Sequence, residues 1–490
     1  MYSSSTLFEP PVSRPYALSE EDLVVRRVRA PASRFVRLWL GLALGSLLLA
    51  GLLSLSVVLG RLPGLSRIID DPLFFKRCLV VHVDLALVVW FYAFACSLAA
   101  LRVANRAGVV EWFAFGTSVV GVVGMLAGGL VRGAAPVLAN YIPVIDHPLF
   151  LGGLGLFFTG VLVFTLRTVN SRITRSQGKL SKDATVGVQA CGVALVLAAV
   201  TWVSARSALP AGLDRHTFFE FSHWGAGHVL QVANICGMLA VWLWLVARVT
   251  GGAVLSAAAA RVLFAALLAP HLIMPLLSWQ GALHRTYIEG ATLLMRWGIF
   301  PVVLFTLCLC VRYLLRYSPH TRSAETRMMT AGFGASVGLT LLGFVLGAMI
   351  RSSTTLVPAH YHASLGGITA AFMTATYLLI EVFGRDAKST EAIAKRWRSA
   401  RRQLLCFGGG QAVFAIGFAI GGVYGLGRKT YAGEQHVRSL GEQIGLGVMG
   451  LGGLVAAAGG VWFLILVLRP FCTRRRHARV DDSYEFPVNA

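Results

Sequence analysis

The stretch VPAHYHASLGGITAAFM, residues 357–373, sets His360 and His362 two positions apart in a run without a single charged residue. A buried polar group left without a partner costs about 1–3 kcal/mol or more, so something must engage those ring nitrogens. Two steps along an α-helix turn a side chain by about 200°. The two imidazoles therefore face opposite sides of their helix. They cannot chelate one ion, and each is expected to serve a separate centre.

The surrounding chain explains why water is not the partner. Of its 490 residues, 56% are hydrophobic and 13% charged, and the mean hydropathy is +0.69, far from soluble domains. A window of about 19 residues predicts twelve membrane spans near 36–60, 78–101, 111–131, 148–166, 186–204, 219–247, 254–278, 288–311, 329–350, 357–383, 404–426 and 441–468. The longest inner connection, GRDAKSTEAIAKRWRSARR (384–402), is off-centre, which favours one twelve-helix unit over two six-helix halves. The expected organisation is a cytoplasmic tail (1–34), a membrane domain (35–469) and a second cytoplasmic tail (470–490).

Net charge is +22. With both termini inside, 31 of the 44 lysines and arginines fall on the inner side, as expected if cytoplasmic loops carry the basic residues. The basicity thus reads as topogenic and lipid-facing, and nucleic acid is excluded as a partner. The first 30 residues lack the short apolar stretch and small-residue site of a removable signal. Eight cysteines are scattered, with no C-x-x-C-H, which argues against both a disulfide framework and a covalently attached haem. The glycine patches CFGGG (406–410) and GVMGLGGL (447–454) read as helix-packing surfaces.

Five span histidines share one level. His82, His228, His271, His360 and His362 lie on four spans running in both directions, each within about ten residues of the predicted outer end. A cofactor lying in that layer requires such convergence. His82 suits one member of the opening pair as trans partner on a low-spin haem, leaving the other to a high-spin haem with an open face. His228 and His271 would face it, with imidazoles suited to copper or non-haem iron. His223, about 140° round the helix from His228, is expected to be structural. His147, His216, His284, His436, His320 and His477 read as solvated, and Asp84, Glu111, Glu220, Glu289 and Glu381 as solvated or capping.

With these residues in view the chain resembles the catalytic subunit of the haem-copper oxidase superfamily, subunit I of cytochrome c oxidase and its nitric oxide reductase relatives. AHYHASLGGITAAFM resembles the family's His-x-His segment, implying His360 as proximal ligand of the high-spin haem and His362 as ligand of the low-spin haem. VHVDLALVVWFYAF is similar to the segment supplying the other low-spin ligand, implying His82. GLGRKTY resembles the basic pair that holds haem propionates, implying Arg428 and Lys429. HRTYIEGATLL resembles the family's connection into the eighth span. The resemblance implies an all-α twelve-helix bundle with two haems and one copper or iron. It also implies electrons from a donor subunit or small carrier on the outer face, and a location in a bacterial-type inner membrane.

Three departures bear on function. WGAGHVLQ keeps His228, but the position four residues on, where many oxidases carry a tyrosine cross-linked to histidine, is Val232, and 251–272 holds no tyrosine. APHLIMP has His271 without an adjacent histidine, leaving Gln231, Asn234 and Glu289 as candidate further ligands. Leu230 stands where many oxidases have a glutamate, so a strong inward proton channel is not expected. Coupling of NO to N₂O needs two electrons and two protons but no tyrosyl radical, so these features favour a nitric oxide reductase-like enzyme. A variant O₂ reductase is the alternative, followed by a degenerate haem protein and a twelve-span transporter, whose site would lie nearer the midplane.

Overall fold

A computed structural model describes residues 34–59, 71, 73–102, 108–170, 180–319, 323–382, 390–428 and 439–472. Lys429, His320, His436, His477 and nearly all of both tails lie outside the described residues. Twelve helices are long and apolar enough to cross a membrane: α1 (Arg34–Leu59), α2 (Phe74–Ala100), α3 (Val109–Leu130), α4 (Pro148–Asn170), α5 (Lys182–Ala208), α6 (Arg215–Thr250), α7 (Ala257–Gln280), α8 (Arg285–Tyr317), α9 (Ala324–Met349), α10 (Leu356–Val382), α11 (Thr390–Val423) and α12 (Leu440–Cys472).

Three of these helices form the centre. The most apolar stretch of α6 is 94% buried, that of α10 83% and that of α2 67%, while no other helix exceeds 56%. A helix apolar on every side belongs inside a bundle, and these three carry His82, His228, His360 and His362. Lipid offers no hydrophobic drive between helices, so small residues and hydrogen bonds join them. The Trp242 indole donates to Ser336 Oγ at 2.8 Å, and Ser336 donates to the Gly367 carbonyl at 2.7 Å, tying α6, α9 and α10. Tyr377 donates to Gln403 (3.0 Å), whose amide donates to the Gly459 carbonyl (3.0 Å), tying α10, α11 and α12. The glycine patches pack as expected: a Cβ at Gly410 would lie 2.4 Å from the Ala456 nitrogen.

Three expectations need correction, the first being Glu220, which is neither solvated nor capping but buried in α6 and bonded to Asn140. Much of the stretch 384–402 is helical, because α11 begins at Thr390. There Trp397, Ala400 and Leu404 are buried while Arg398, Arg401 and Arg402 are exposed, the spacing of an amphipathic helix. Asp84 is neither solvated nor capping: it is fully buried, and both carboxylate oxygens lack a partner among the described residues. It sits at the start of a π-turn, Asp84–Val89, in the middle of α2. Glu111 does cap, accepting from Gly108 N–H (2.9 Å) and pairing with Arg167 (3.1 Å).

Regular winding also fails in α7 and α8. Pro270 and Pro275 withhold donors from α7, and residues Ala269–Ile273 tighten to 3₁₀ around His271. A second π-turn, Met295–Ile299, lies opposite in α8. Between α3 and α4 a small antiparallel hairpin, β1 (Ala135–Val137) and β2 (Val144–Asp146), pairs Val137 with Val144. Arg77, buried in α2 and paired with Asp71 at 2.5 Å, donates to the Gly129 and Ala134 carbonyls, and Asp146 pairs with Arg215 at 3.0 Å. The hairpin is thereby fixed over α2 and α6.

Candidate functional site

The tenth-helix pair faces two ways. The His360 Nδ1–H donates to the Gly343 carbonyl of α9 at 2.7 Å, and the ring needs Gly347, where a Cβ would lie 2.7 Å from Nδ1. His362 points instead at α11, stacked on Phe418 (5.4 Å, 8°) and edge-on to Phe414 (4.8 Å). It makes no hydrogen bond among the described residues. His82 comes near enough to His362 for their ring charges to act on each other, and its Nδ1–H donates to the Ala50 carbonyl at 2.8 Å. For both His82 and His360 a carbonyl thus fixes Nδ1 as the protonated nitrogen, leaving Nε2 as the ligating atom, the usual outer-sphere arrangement of a metal-binding histidine. These residues fit a pair of haem sites on two sides of one helix.

The second cluster is assembled differently. His228 Nδ1–H donates to the Trp224 carbonyl (2.7 Å) and His271 Nδ1–H to the Leu267 carbonyl (3.0 Å). The two rings lie within reach of each other's charge, and His271 Nε2 is buried with no hydrogen-bond partner among the described residues. Gly298 in the α8 π-turn makes room, since a Cβ there would sit 2.7 Å from His271 Cε1. With the true start of α6 at Arg215, His228 is set deeper in its helix than the predicted span implied.

His228 Nε2 already has a neighbour that sequence reasoning missed. Tyr141, at the hairpin tip, places its hydroxyl 2.9 Å from that nitrogen, with ring centroids 4.5 Å apart. Because Nδ1 carries the proton, Tyr141 must be the donor. Its backbone has φ +67°, the one positive value on a described non-glycine residue, a conformation that costs of order 1–3 kcal/mol for a bulky residue. Asn140 holds it there. The Asn140 backbone N–H donates to Glu220 Oε2 at 2.7 Å, its side-chain amide donates to Glu220 Oε1, and its own oxygen accepts from Arg428 at 2.5 Å. Gly227 completes the fit, since a Cβ there would lie 2.4 Å from that of Tyr141. Burial raises the Tyr141 phenol above its ordinary value; Glu220 adds to this and Arg428 opposes it.

A second overlooked phenol opens α6 itself. The Gly225 N–H donates to Tyr287 Oη (2.6 Å), and Tyr287 donates to the Phe221 carbonyl (3.1 Å). The hydroxyl is inserted into the helix ladder one turn before His228.

The remaining candidates divide. Gln231 and Asn234 bond to each other (3.4 Å) and, with Tyr92, Tyr141, Gly227 and Leu230, line a small cavity beside this cluster. Glu289 is exposed and paired with Arg285 at 2.7 Å, so it is removed as a candidate ligand. Arg428, expected at a propionate, spends one donor on Asn140. His223 stacks on Phe219, and His284 caps α8. Among the described residues no three histidine, cysteine or carboxylate side chains converge on a metal position.

The chain and its fold have known counterparts. Residues 34–455 match the family model described as cytochrome c and quinol oxidase polypeptide I, and the chain belongs to that family. An uncharacterized protein of Rickettsia prowazekii (strain Madrid E) is 24% identical over 87% of this chain and 94% of its own length. Another, from Aquifex aeolicus (strain VF5), is 29% identical over 71% of this chain and 85% of its own. Among solved structures, that of a haem-copper terminal oxidase dimer superposes with a TM-score of 0.62 at 16% identity, covering 90% of this chain and 84% of that one. The fold is that of a haem-copper oxidase subunit I, and the protein is a multi-pass membrane oxidoreductase of that general kind.

Proposed function

We propose that this chain is the catalytic subunit of a terminal respiratory reductase in a bacterial-type inner membrane, with both termini cytoplasmic. A donor subunit or small carrier on the outer face would supply the electrons, and the haems and non-haem metal, when bound, would supply the redox chemistry for reduction of a diatomic gas. His82 and His362 hold the low-spin haem, His360 the high-spin haem, and His228 with His271 the non-haem metal. Arg428 and Lys429 act at the propionates. One observation carries this reading: His360 and His362 leave α10 toward different helices, one tied to α9 and the other seated against Phe414 and Phe418 of α11.

Haems and metal supply the redox steps when bound; the polypeptide orients and insulates. Backbone carbonyls fix the protonated nitrogen of His82, His228, His271 and His360. Phe414 and Phe418 clamp the His362 ring, so its orientation is preset before a ligand arrives.

The finer reading is NO coupling, supported by Val232, by the tyrosine-free stretch 251–272 and by a metal cluster with only two imidazoles. Tyr141 supports the second reading, O₂ reduction, since it brings a phenol to His228 from a loop. Anaerobic turnover of the purified complex with NO, then with O₂, from an artificial donor separates them. N₂O formation with little O₂ consumption is expected, and the reverse would overturn the NO assignment.

A further inference from the structure

The proposed second metal site has only two imidazoles and, among the described residues, no carboxylate beside them, and the further polar side chain in contact with His228 is Tyr141. We infer that Tyr141 Oη is the third protein ligand of the non-haem metal, beside His228 Nε2 and His271 Nε2, and that this donor set selects iron. The inference rests on the assignment of His228 and His271 to that metal.

Four features of the chain converge on this. The first is distance: two donors bound at about 2.0–2.2 Å and about 90° apart lie roughly 2.8–3.1 Å from each other, and His228 Nε2 and Tyr141 Oη are 2.9 Å apart. The second is tautomer. His228 and His271 each give Nδ1–H to the carbonyl four residues back, so each Nε2 carries a lone pair, that of His228 accepting from Tyr141 until the phenol proton is lost. The His271 Nε2 is buried and meets no hydrogen-bond partner within bonding geometry among the described residues, with the Leu294 carbonyl of α8 nearby. Third, Tyr141 is held at φ +67° by the Asn140 bonds to Glu220 and Arg428, and a strained residue clamped by a charged network is pre-placed for a ligand. Fourth, Gly227 removes the side chain that would block its approach.

The alternatives are weaker. Gln231 Oε1 already accepts from the Asn234 amide at 3.4 Å, and Glu289 is exposed with Arg285. On binding, the phenol O–H breaks heterolytically: the oxygen pair goes to the metal, and one proton is released to solvent. No electron is transferred in that step. Two imidazoles with one hard anionic oxygen and open positions resemble the facial set of two histidines and one carboxylate that holds non-haem iron.

The test is metal and haem analysis of the purified full complex, wild type against Tyr141→Phe. The wild type is expected to contain one iron beyond its haem iron. Tyr141→Phe, which keeps the ring and its packing, is expected to lose that iron at least about ten-fold with its haem content and spectrum intact. Haem with no further metal in the wild type overturns the His228–His271 assignment and this inference with it. A non-haem metal retained in Tyr141→Phe, or copper in place of iron, overturns this inference alone. Should Tyr141→Phe lose its haems as well, resonance Raman of the wild type decides. Tyrosinate ring modes enhanced through a phenolate-to-iron band support ligation, and a metal-loaded sample without them contradicts it.

Discussion

The two proposed centres are built by different means. On the proposed haem side, His82, His360 and His362 all ride on central helices, and what fixes them is local: a carbonyl of a neighbouring helix or a pair of phenylalanines. On the other side, His228 sits on a regular helix, but His271 occupies a proline-distorted turn and Tyr141 the tip of a loop hairpin. That cluster depends on a brace running from α6 through Asn140 to the segment after α11. Ligands on central helices inherit the rigidity of the bundle, whereas a loop-borne group needs its own charged scaffold. The haem side should therefore fail one ligand at a time, and the loop side as a unit.

The largest effect should come from the pair itself. His362→Ala is expected to remove one haem of two with its low-spin spectrum, and His360→Ala the other, as read by pyridine haemochromogen and EPR. If either variant lost both haems, the independence of the two faces would be wrong. Next, Gly227→Ala and Gly347→Ala press a methyl into Tyr141 and His360 respectively, each costing about 1–3 kcal/mol by overpacking. Gly227→Ala should deplete the non-haem metal and spare the haems, while Gly347→Ala should disturb the high-spin haem. Metal analysis and visible spectra would sharpen or break that contrast.

Smaller effects concern the frame. Ser336→Ala leaves the buried Trp242 indole without its acceptor, and a loss of about 1–3 kcal/mol is expected, seen as a lower midpoint in thermal unfolding with the haem spectrum unchanged beforehand. The smallest is acid sensitivity at the N-terminal end of α2. The hydrogen bond from Arg77 holds the Asp71 carboxyl below its ordinary value of 3.8. A depressed carboxylate contributes its stability fully above the ordinary value and loses it as pH falls through the depressed one. Unfolding midpoints should therefore drop below about pH 3.8 in the wild type and fall less in Asp71→Asn. Equal acid profiles would remove the pair from the account.

This contrast also explains what was legible in the sequence. Spans declare themselves by composition, and His360 and His362 by the angular step of a helix, which holds wherever the helix is regular. Asp84 was misread because position near a helix end says nothing of how deeply that helix is buried; α2 is a central helix, and its π-turn begins at this carboxylate. Tyr141 and Asn140 were invisible for another reason. Hairpin 135–146 is short, and its tip meets α6 through contacts nearly ninety residues apart in sequence, which no local periodicity encodes. Tyr287 lay within a stretch already singled out, yet its insertion into the α6 ladder is visible only once α8 packs against α6.

The central claim is that imidazoles from α2 and α10 grip two haems on opposite faces of one helix. Haem quantitation with low-temperature EPR on the purified, oxidised full-length protein tests it most directly. Two haems per chain, one giving a low-spin bis-imidazole signal that vanishes in His82→Ala, is the predicted result. A single haem, or a low-spin signal unchanged in His82→Ala, would contradict it.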